Sequence, residues 1–240
     1  MFILSIRGLN KHSTSQRGNM LGILATALGI LSVLVSPGFH GAHVRFFVTF
    51  LLASAVGYGA ASQVSIEQMP ELVAGFHSFV GLAAVFAGLA GFCGPASSLP
   101  FDPLRCLETI LGTSIGMLTF TGSVVAAGKL HGWIPGRPVV LDNRWTLNLG
   151  GLGLSLLLSS AFCTQSVYSS GLGAACLLGN SAIWAGLGAN MVLPIGGADM
   201  PVVVSMLNAC SGLATSAMGF MLSNNLLTIA GALVASSGYL

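Results

Sequence analysis

The sequence predicts an all-α membrane protein, a polytopic bundle of about eight transmembrane helices with truncated ends. Composition is the first reason. Of the 240 residues, 54% are hydrophobic and only 6% charged, where a soluble domain carries about 25% charged residues; the mean hydropathy is +0.88. Pattern is the second. The apolar residues form continuous runs near the ~20 residues that a helix needs to cross a bilayer, whereas a membrane β-barrel would alternate over segments of about ten. The third is glycine, at 33 residues, which lets transmembrane helices pack closely. The net charge of +2 is too small to steer a nucleic acid. The expected environment is therefore lipid, with no nucleic-acid partner.

Residues 1–6 are apolar and precede Arg7. The stretch is shorter than a signal-peptide core of about 7–15 residues, and its basic residue follows rather than precedes it. It reads as the tail of a helix that begins further upstream. Seven full spans are expected at 20–36, 46–62, 71–92, 107–128, 146–162, 172–194 and 201–222, with a shortened eighth at 225–240. The chain is read as one transmembrane domain over 1–240, a fragment of a longer protein. Two helix starts are marked by Gln68-Met69-Pro70-Glu71 and Asp199-Met200-Pro201. Proline is tolerated in a first turn, and a carboxylate there complements the positive helix end, so capping is the structural role open to Glu71 and Asp199. No internal repeat points to an inverted-repeat transporter.

Under this count Arg7, Lys11, Arg17, Lys129, Arg137 and Arg144 lie on one side of the membrane, and Arg45 and Arg105 on the other. The basic side reads as cytoplasmic, or as matrix in a mitochondrion. The turn at Asp199 and the C-terminus fall on that side too. The longest polar connection, 129–145, is either a docking surface for a soluble partner or a solvated charged anchor. The five cysteines form no CxxC pair and sit at no metal-ligand spacing with histidine. They read as free thiols acting as small apolar residues, with neither a metal site nor a disulfide framework expected.

Chemistry concentrates on few residues. His77 lies within an apolar run in which no Lys, Arg, Asp or Glu occurs between Glu71 and Asp102. An ionisable group at membrane depth is costly and points to function, and imidazole titrates near neutrality; the structural alternative is a histidine satisfied by a carbonyl one turn back. Asn208 lies on a helical face with Ser205, Ser211, Gly212, Thr215 and Gly219, by three- and four-residue spacing. That face serves either helix packing, with asparagine as hydrogen-bond glue, or a wet path in which the amide orients water and imidazole. A second stripe runs through Gly112, Gly116, Thr119 and Ser123, one turn after Glu108, and the last helix adds Ser236, Ser237 and Gly238. Together they suffice for a narrow proton path and are too sparse for a sugar-like substrate. No Gly-x-Gly-x-x-Gly in a strand–turn–helix setting and no P-loop occurs; Gly171-Leu172-Gly173 lies in an apolar run. No nucleotide, cofactor or metal site is expected in this chain.

Several stretches together resemble one family: Met69-Pro-Glu-Leu-Val-Ala, His77-Ser-Phe-Val-Gly-Leu-Ala-Ala-Val, Thr119-Phe-Thr-Gly-Ser-Val-Val-Ala, Gly196-Gly-Ala-Asp-Met-Pro-Val-Val-Val-Ser-Met-Leu-Asn208, Gly219-Phe-Met-Leu-Ser-Asn224 and Gly231-Ala-Leu-Val-Ala-Ser-Ser-Gly238. The chain is similar to the membrane domain of the proton-translocating NAD(P) transhydrogenases, in the part belonging to the beta subunit. The resemblance covers most of residues 3–240. It implies hydride exchange between NADH and NADP⁺ coupled to proton movement, with NAD(H) and NADP(H) bound by soluble domains outside this chain. By the resemblance, His77 and Asn208 match the family's membrane histidine and asparagine, and Asp199 its acidic residue facing the NADP(H) domain. Glu71, Glu108 and Ser123 match polar positions of the family, and Glu108 and Ser123 are expected in the proton path. Ser236, Ser237 and Gly238 match the last helix, which leads to the NADP(H) domain. Some relatives carry an acidic residue where this chain has Gln68. The resemblance also implies a homodimer of the complete enzyme, in a mitochondrial inner membrane or a bacterial plasma membrane. The competing classes are a non-enzymatic transporter of a small solute or ion, and a structural membrane subunit.

Overall fold

A computed structural model gives the fold and describes residues 1–9, 11–35, 43–94, 101–164 and 171–239. Helices dominate, and no strand occurs among the described residues. The chain divides into two compact units, Met1–Gln63 and Val64–Leu240.

The first unit contains α1 (Phe2–Leu9), α2 (Ser15–Val35) and α3 (His43–Gln63). The stub expected at 1–6 is a helix that runs on past Arg7 and folds back on α2. Ser5 Oγ donates to Gly18 O at 2.7 Å and Thr14 Oγ1 to Gly8 O at 2.7 Å. The backbones meet where side chains are absent: a Cβ on Gly8 would lie 2.7 Å from Gly18 Cα. The span expected at 20–36 falls in α2, which begins five residues earlier; Pro37 and its neighbours lie outside the described residues. α3 exposes its large apolar side chains, Phe47, Leu51, Val56 and Tyr58 among them.

The second unit holds α4 (Met69–Cys93), α5 (Pro103–His131), α6 (Arg144–Phe162), α7 (Gly171–Val192), α8 (Met200–Met221) and α9 (Asn225–Tyr239). The span expected at 46–62 lies within α3, and the six from 71–92 to 225–240 each lie within one helix of the second unit to within a few residues; residue 240 of the last is outside the described chain. Among the described residues, six helices are long and apolar enough to cross a membrane: α3 to α8, α3 from Val44 and the last counted from Gly197. At 15 residues α9 is shorter than a full span.

α5 is the centre of this unit, with α4, α7 and α8 packed around it, α6 against α7 and α9 against α8. Glycine sets these contacts. A Cβ on Gly81 of α4 would lie 2.5 Å from Gly116 O and 2.7 Å from Phe120 N of α5; one on Gly188 of α7 would lie 2.5 Å from Leu118 O. On α9, a Cβ on Gly238 would lie 2.6 Å from Ala209 N and 2.8 Å from Ser205 O of α8. The small-residue stripes read from the sequence are thus largely backbone contact surfaces, the arrangement that brings transmembrane helices together.

Pro70, Pro103 and Pro201 all sit in the first turn of their helices. Glu71 lies in the first turn of α4 and Asp199 at the N-cap position of α8, both beside a positive helix end, but neither closes a side-chain cap bond. α4 is preceded by Gln68, also without one. The carboxylate that does cap is Asp102, which accepts from Leu104 N at 3.0 Å at the start of α5. α5 stops at Gly132, whose φ of +89° is left-handed and suits a residue without Cβ.

Candidate functional site

Three helices bring polar groups to one level. His77 is eight residues past Met69, Asn208 eight past Met200, and Ser123 eight before His131, the last residue of α5. At a rise of ~1.5 Å per residue, each lies about 12 Å along its helix. These are neighbouring helix ends: Ala74, Ala126, Val192, Met200, Val203 and Leu207 form one buried cluster there. Twelve ångströms of helix places the three residues inside a hydrocarbon core about 30 Å thick.

There His77 Nε2 meets Asn208 Oδ1 at 3.1 Å, across 131 residues of sequence. The structural alternative for His77, a bond to a carbonyl one turn back, is absent; the neighbouring Ser78 hydroxyl makes such a bond instead, to Gly75 O. An amide oxygen only accepts, so with Oδ1 facing the ring Nε2 carries the hydrogen. In a neutral imidazole Nδ1 is then a bare lone pair. His77 Nδ1 is enclosed and has no hydrogen-bond partner in the protein, and the same holds for Ser123 Oγ. This distinguishes Ser123 from its neighbours on α5: Thr113, Thr119 and Thr121 all return their hydroxyls to their own helix backbone.

The other sequence-predicted residues lie apart from this level. Glu108 is at the opposite end of α5, five residues from its start. Ser236 and Ser237 are exposed and bond back to Leu233 O and Val234 O. Gly238 lies against α8, where its carbonyl accepts from Ser205 Oγ at 2.9 Å. Asp199 is exposed at the end of the bundle, nine residues or roughly 13–14 Å from Asn208 along the chain. The α8 stripe is therefore divided. Ser205, Gly212 and Gly219 serve the α9 contact, Ser211 and Thr215 bond to their own helix, and Asn208 alone reaches His77.

The Asp199 end is organised by a residue read from the sequence only as a loop charge. Lys129 is buried, 5% exposed, and its Nζ donates to Leu193 O at 2.5 Å and Ile195 O at 2.7 Å. A cation on the carbonyls just past α7 complements the negative end of that helix. The connection 132–143 folds over the same turn: Val139 N donates to Leu193 O at 3.0 Å and Gly197 N to Gly136 O at 2.8 Å. Beside it Glu71 pairs with His131 Nδ1, joining the start of α4 to the end of α5.

A second buried polar cluster went unread in the sequence. Asn180 Nδ2 donates to Ser114 Oγ at 2.8 Å, Ser155 Oγ to Asn180 Oδ1 at 2.7 Å, and Trp184 Nε1 to Ser155 Oγ at 2.8 Å. It links α5, α6 and α7. Its sequence signal is the one that marked Asn208, an asparagine inside an apolar run, and Asn180 and Asn190 both carry it. Gly171 and Gly173 open α7 as continuous helix, with Gly173 buried. Among the described residues no group of three or more His, Cys, Asp or Glu is placed to hold a metal ion.

The pattern of the NAD(P) transhydrogenase beta subunit matches residues 1–240. Two curated relatives, both described as NAD(P) transhydrogenase subunit beta, come from Rhodospirillum rubrum, one of them from a named strain. Each is 39% identical over 243 residues, covering 99% of this chain and 51% of the relative. The chain thus spans about half the length of the curated relatives it matches. The match does not favour a small-solute transporter.

Proposed function

This chain belongs to the NAD(P) transhydrogenase beta subunit family, and we propose that it forms the proton-conducting membrane part of such an enzyme. In the complete protein, NAD(H) and NADP(H) sit on soluble domains, and hydride exchange between them is coupled to proton movement through this bundle. The soluble domains, the lipid bilayer and a second copy of the complete enzyme are its partners. The membrane is a bacterial plasma membrane or a mitochondrial inner membrane. The observation that carries the reading is the His77–Asn208 pair, an ionisable ring at membrane depth with one nitrogen held by an amide and the other uncommitted.

The pair supplies two discrete states. With Asn208 Oδ1 toward the ring, Nε2 keeps its hydrogen and Nδ1 is basic. With the amide turned so that Nδ2 donates, Nε2 must be bare and the hydrogen resides on Nδ1. Proton capture at Nδ1, reorientation of Asn208 and proton loss from Nε2 together carry one proton past this level. Ser123 Oγ, enclosed at the same level, is both donor and acceptor and suits a relay. Coupling requires that a second site bias the same two-state element. Asp199 begins α8, which carries Asn208, and its exposed, uncapped carboxylate is placed to register the state of the NADP(H) domain. Glu108 serves the opposite mouth, and Ser236, Ser237 and Gly238 lie on the helix that leads toward the NADP(H) domain.

The test is His77→Ala in the complete enzyme in sealed vesicles. Loss of a positioned acid–base group costs about 10²–10⁴-fold in proton transfer. Reverse transhydrogenation should therefore lose its proton pumping while the protein still binds both nucleotides. Pumping at the normal rate would refute the assignment.

A further inference from the structure

Four of the five cysteines gather at the end of the larger unit remote from Asp199. Cys93 closes α4, Cys106 opens α5, Cys163 follows α6 and Cys176 lies near the start of α7. Two of them touch. Cys106 sits in an apolar cluster with Ile110, Phe162 and Leu177, against which Cys163 and Cys176 both pack, and the Cys106 and Cys163 thiols lie near enough to act on each other. Cys106 is fully enclosed, at 0% exposure. Cys163 is half-buried at a helix end, where Cys163 N still bonds to Ser159 O. The contact joins positions 57 residues apart and is set by the seating of α6 beside α5.

We propose that Cys106 and Cys163 form a redox-active dithiol that closes to an interhelix disulfide by exchange with a soluble disulfide. The division of roles follows from exposure. Cys163 is the sulfur an external reagent reaches, and Cys106 is the resolving thiol held against it. In the first step the Cys163 thiol gives its proton to water, and the thiolate attacks one sulfur of the reagent. A Cys163–S–S–R bond forms, the reagent's S–S bond breaks and R–S⁻ leaves to take up a proton. In the second step Cys106 loses its proton and attacks Cys163 Sγ, expelling the second R–S⁻. Two protein thiols are oxidised and one disulfide is reduced to two thiols, so atoms and electrons balance.

Location favours the reaction. In the larger unit Lys129, Arg137 and Arg144 lie at the Asp199 end and Arg105 at the thiol end. The positive-inside bias therefore turns the thiol end toward the exoplasmic side, and disulfides persist in oxidising compartments such as the bacterial periplasm.

The inference is independent of the proton-path reading and is tested without it. Membranes holding the full-length protein are treated with oxidised glutathione, blocked with N-ethylmaleimide under denaturing conditions, digested and analysed by mass spectrometry. The expected product is a peptide linked through Cys106 and Cys163, two hydrogen atoms lighter than its separate halves and resolved by dithiothreitol. In Cys106→Ser, a glutathione adduct should persist at Cys163; in Cys163→Ser, Cys106 should be recovered as the maleimide adduct. Recovery of both native sulfurs as maleimide adducts after oxidation, or linkage of Cys163 to Cys176 instead, overturns the proposal.

Discussion

At the residue scale, magnitudes separate the groups that hold the protein together from those suited to switch. An interhelical hydrogen bond in a membrane is worth about 0.6 kcal/mol on average and up to ~1.7 kcal/mol. The single His77–Asn208 bond, at 3.1 Å, is therefore cheap to break and remake, which suits an alternating element better than a staple. In Asn208→Leu the amide that selects the tautomer is lost while the ring remains. Changes along a coupling element shift it by about 0.5–2 kcal/mol, so proton pumping per hydride transferred should fall roughly 2- to 30-fold, measured in sealed vesicles against the uncoupled rate. Unchanged stoichiometry would show that Asn208 only glues α8 to α4. Lys129 is the contrasting case, with two acceptors and nearly full burial. In Lys129→Met, Leu193 O keeps its bond from Val139 N, while Ile195 O loses its side-chain donor. An orphaned buried acceptor costs about 1–3 kcal/mol, partly offset because a buried charge is removed as well. The thermal midpoint in detergent should drop, at roughly 2–4 °C per kcal/mol.

At the element scale, the helices were legible in the sequence and their register was not. Continuous apolar runs locate α4, α5 and α8 without reference to any neighbour, and first-turn prolines mark the starts of α4 and α8. His77 and Asn208 could be singled out because each is a conspicuous polar group on its own helix. The Lys129 cap, the Glu71–His131 pair and the Ser155–Asn180–Ser114 cluster could not, because each joins residues from different helices and depends on how those helices seat. Seating is fixed by glycines at particular turns, which one-dimensional spacing does not distinguish from glycines facing lipid. Gly81 and Gly75 make the distinction testable on one helix. Gly81→Ala would force a methyl to within 2.5 Å of Gly116 O, and overpacking of this kind costs about 1–3 kcal/mol. Gly75→Ala meets nothing within 4 Å and should be neutral or stabilising by up to ~1 kcal/mol through helix propensity. In the same detergent Gly81→Ala should therefore unfold more readily than the parent, and Gly75→Ala no more readily. Equal shifts would mean that Gly81 is not a contact residue.

At the scale of the larger unit, everything proposed for coupling depends on its two ends facing different compartments. One end collects Lys129, the Glu71–His131 pair, the folded 132–143 connection and Asp199; the other holds Asp102, Arg105, Glu108 and the thiols of Cys106 and Cys163. His77, about 12 Å along its helix from the first end, lies inside the membrane but nearer that side, so a proton leaving it has a longer way to the Glu108 mouth. Three of the unit's four basic residues lie at the Asp199 end, so the positive-inside bias predicts that end on the cytoplasmic or matrix side. Single-cysteine reporters decide the matter. Right-side-out and inverted vesicles carrying Arg137→Cys, Asp199→Cys or Asp102→Cys are exposed to a membrane-impermeant maleimide, and each labelled peptide is identified by mass. Arg137→Cys and Asp199→Cys should react only in inverted vesicles, and Asp102→Cys only in right-side-out ones. Labelling of Asp199→Cys and Asp102→Cys from the same face would break the two-sided arrangement and the relay through His77 with it. A clean reversal of all three would keep the relay but put the nucleotide-sensing end on the other side, removing the positive-inside argument for an exoplasmic dithiol.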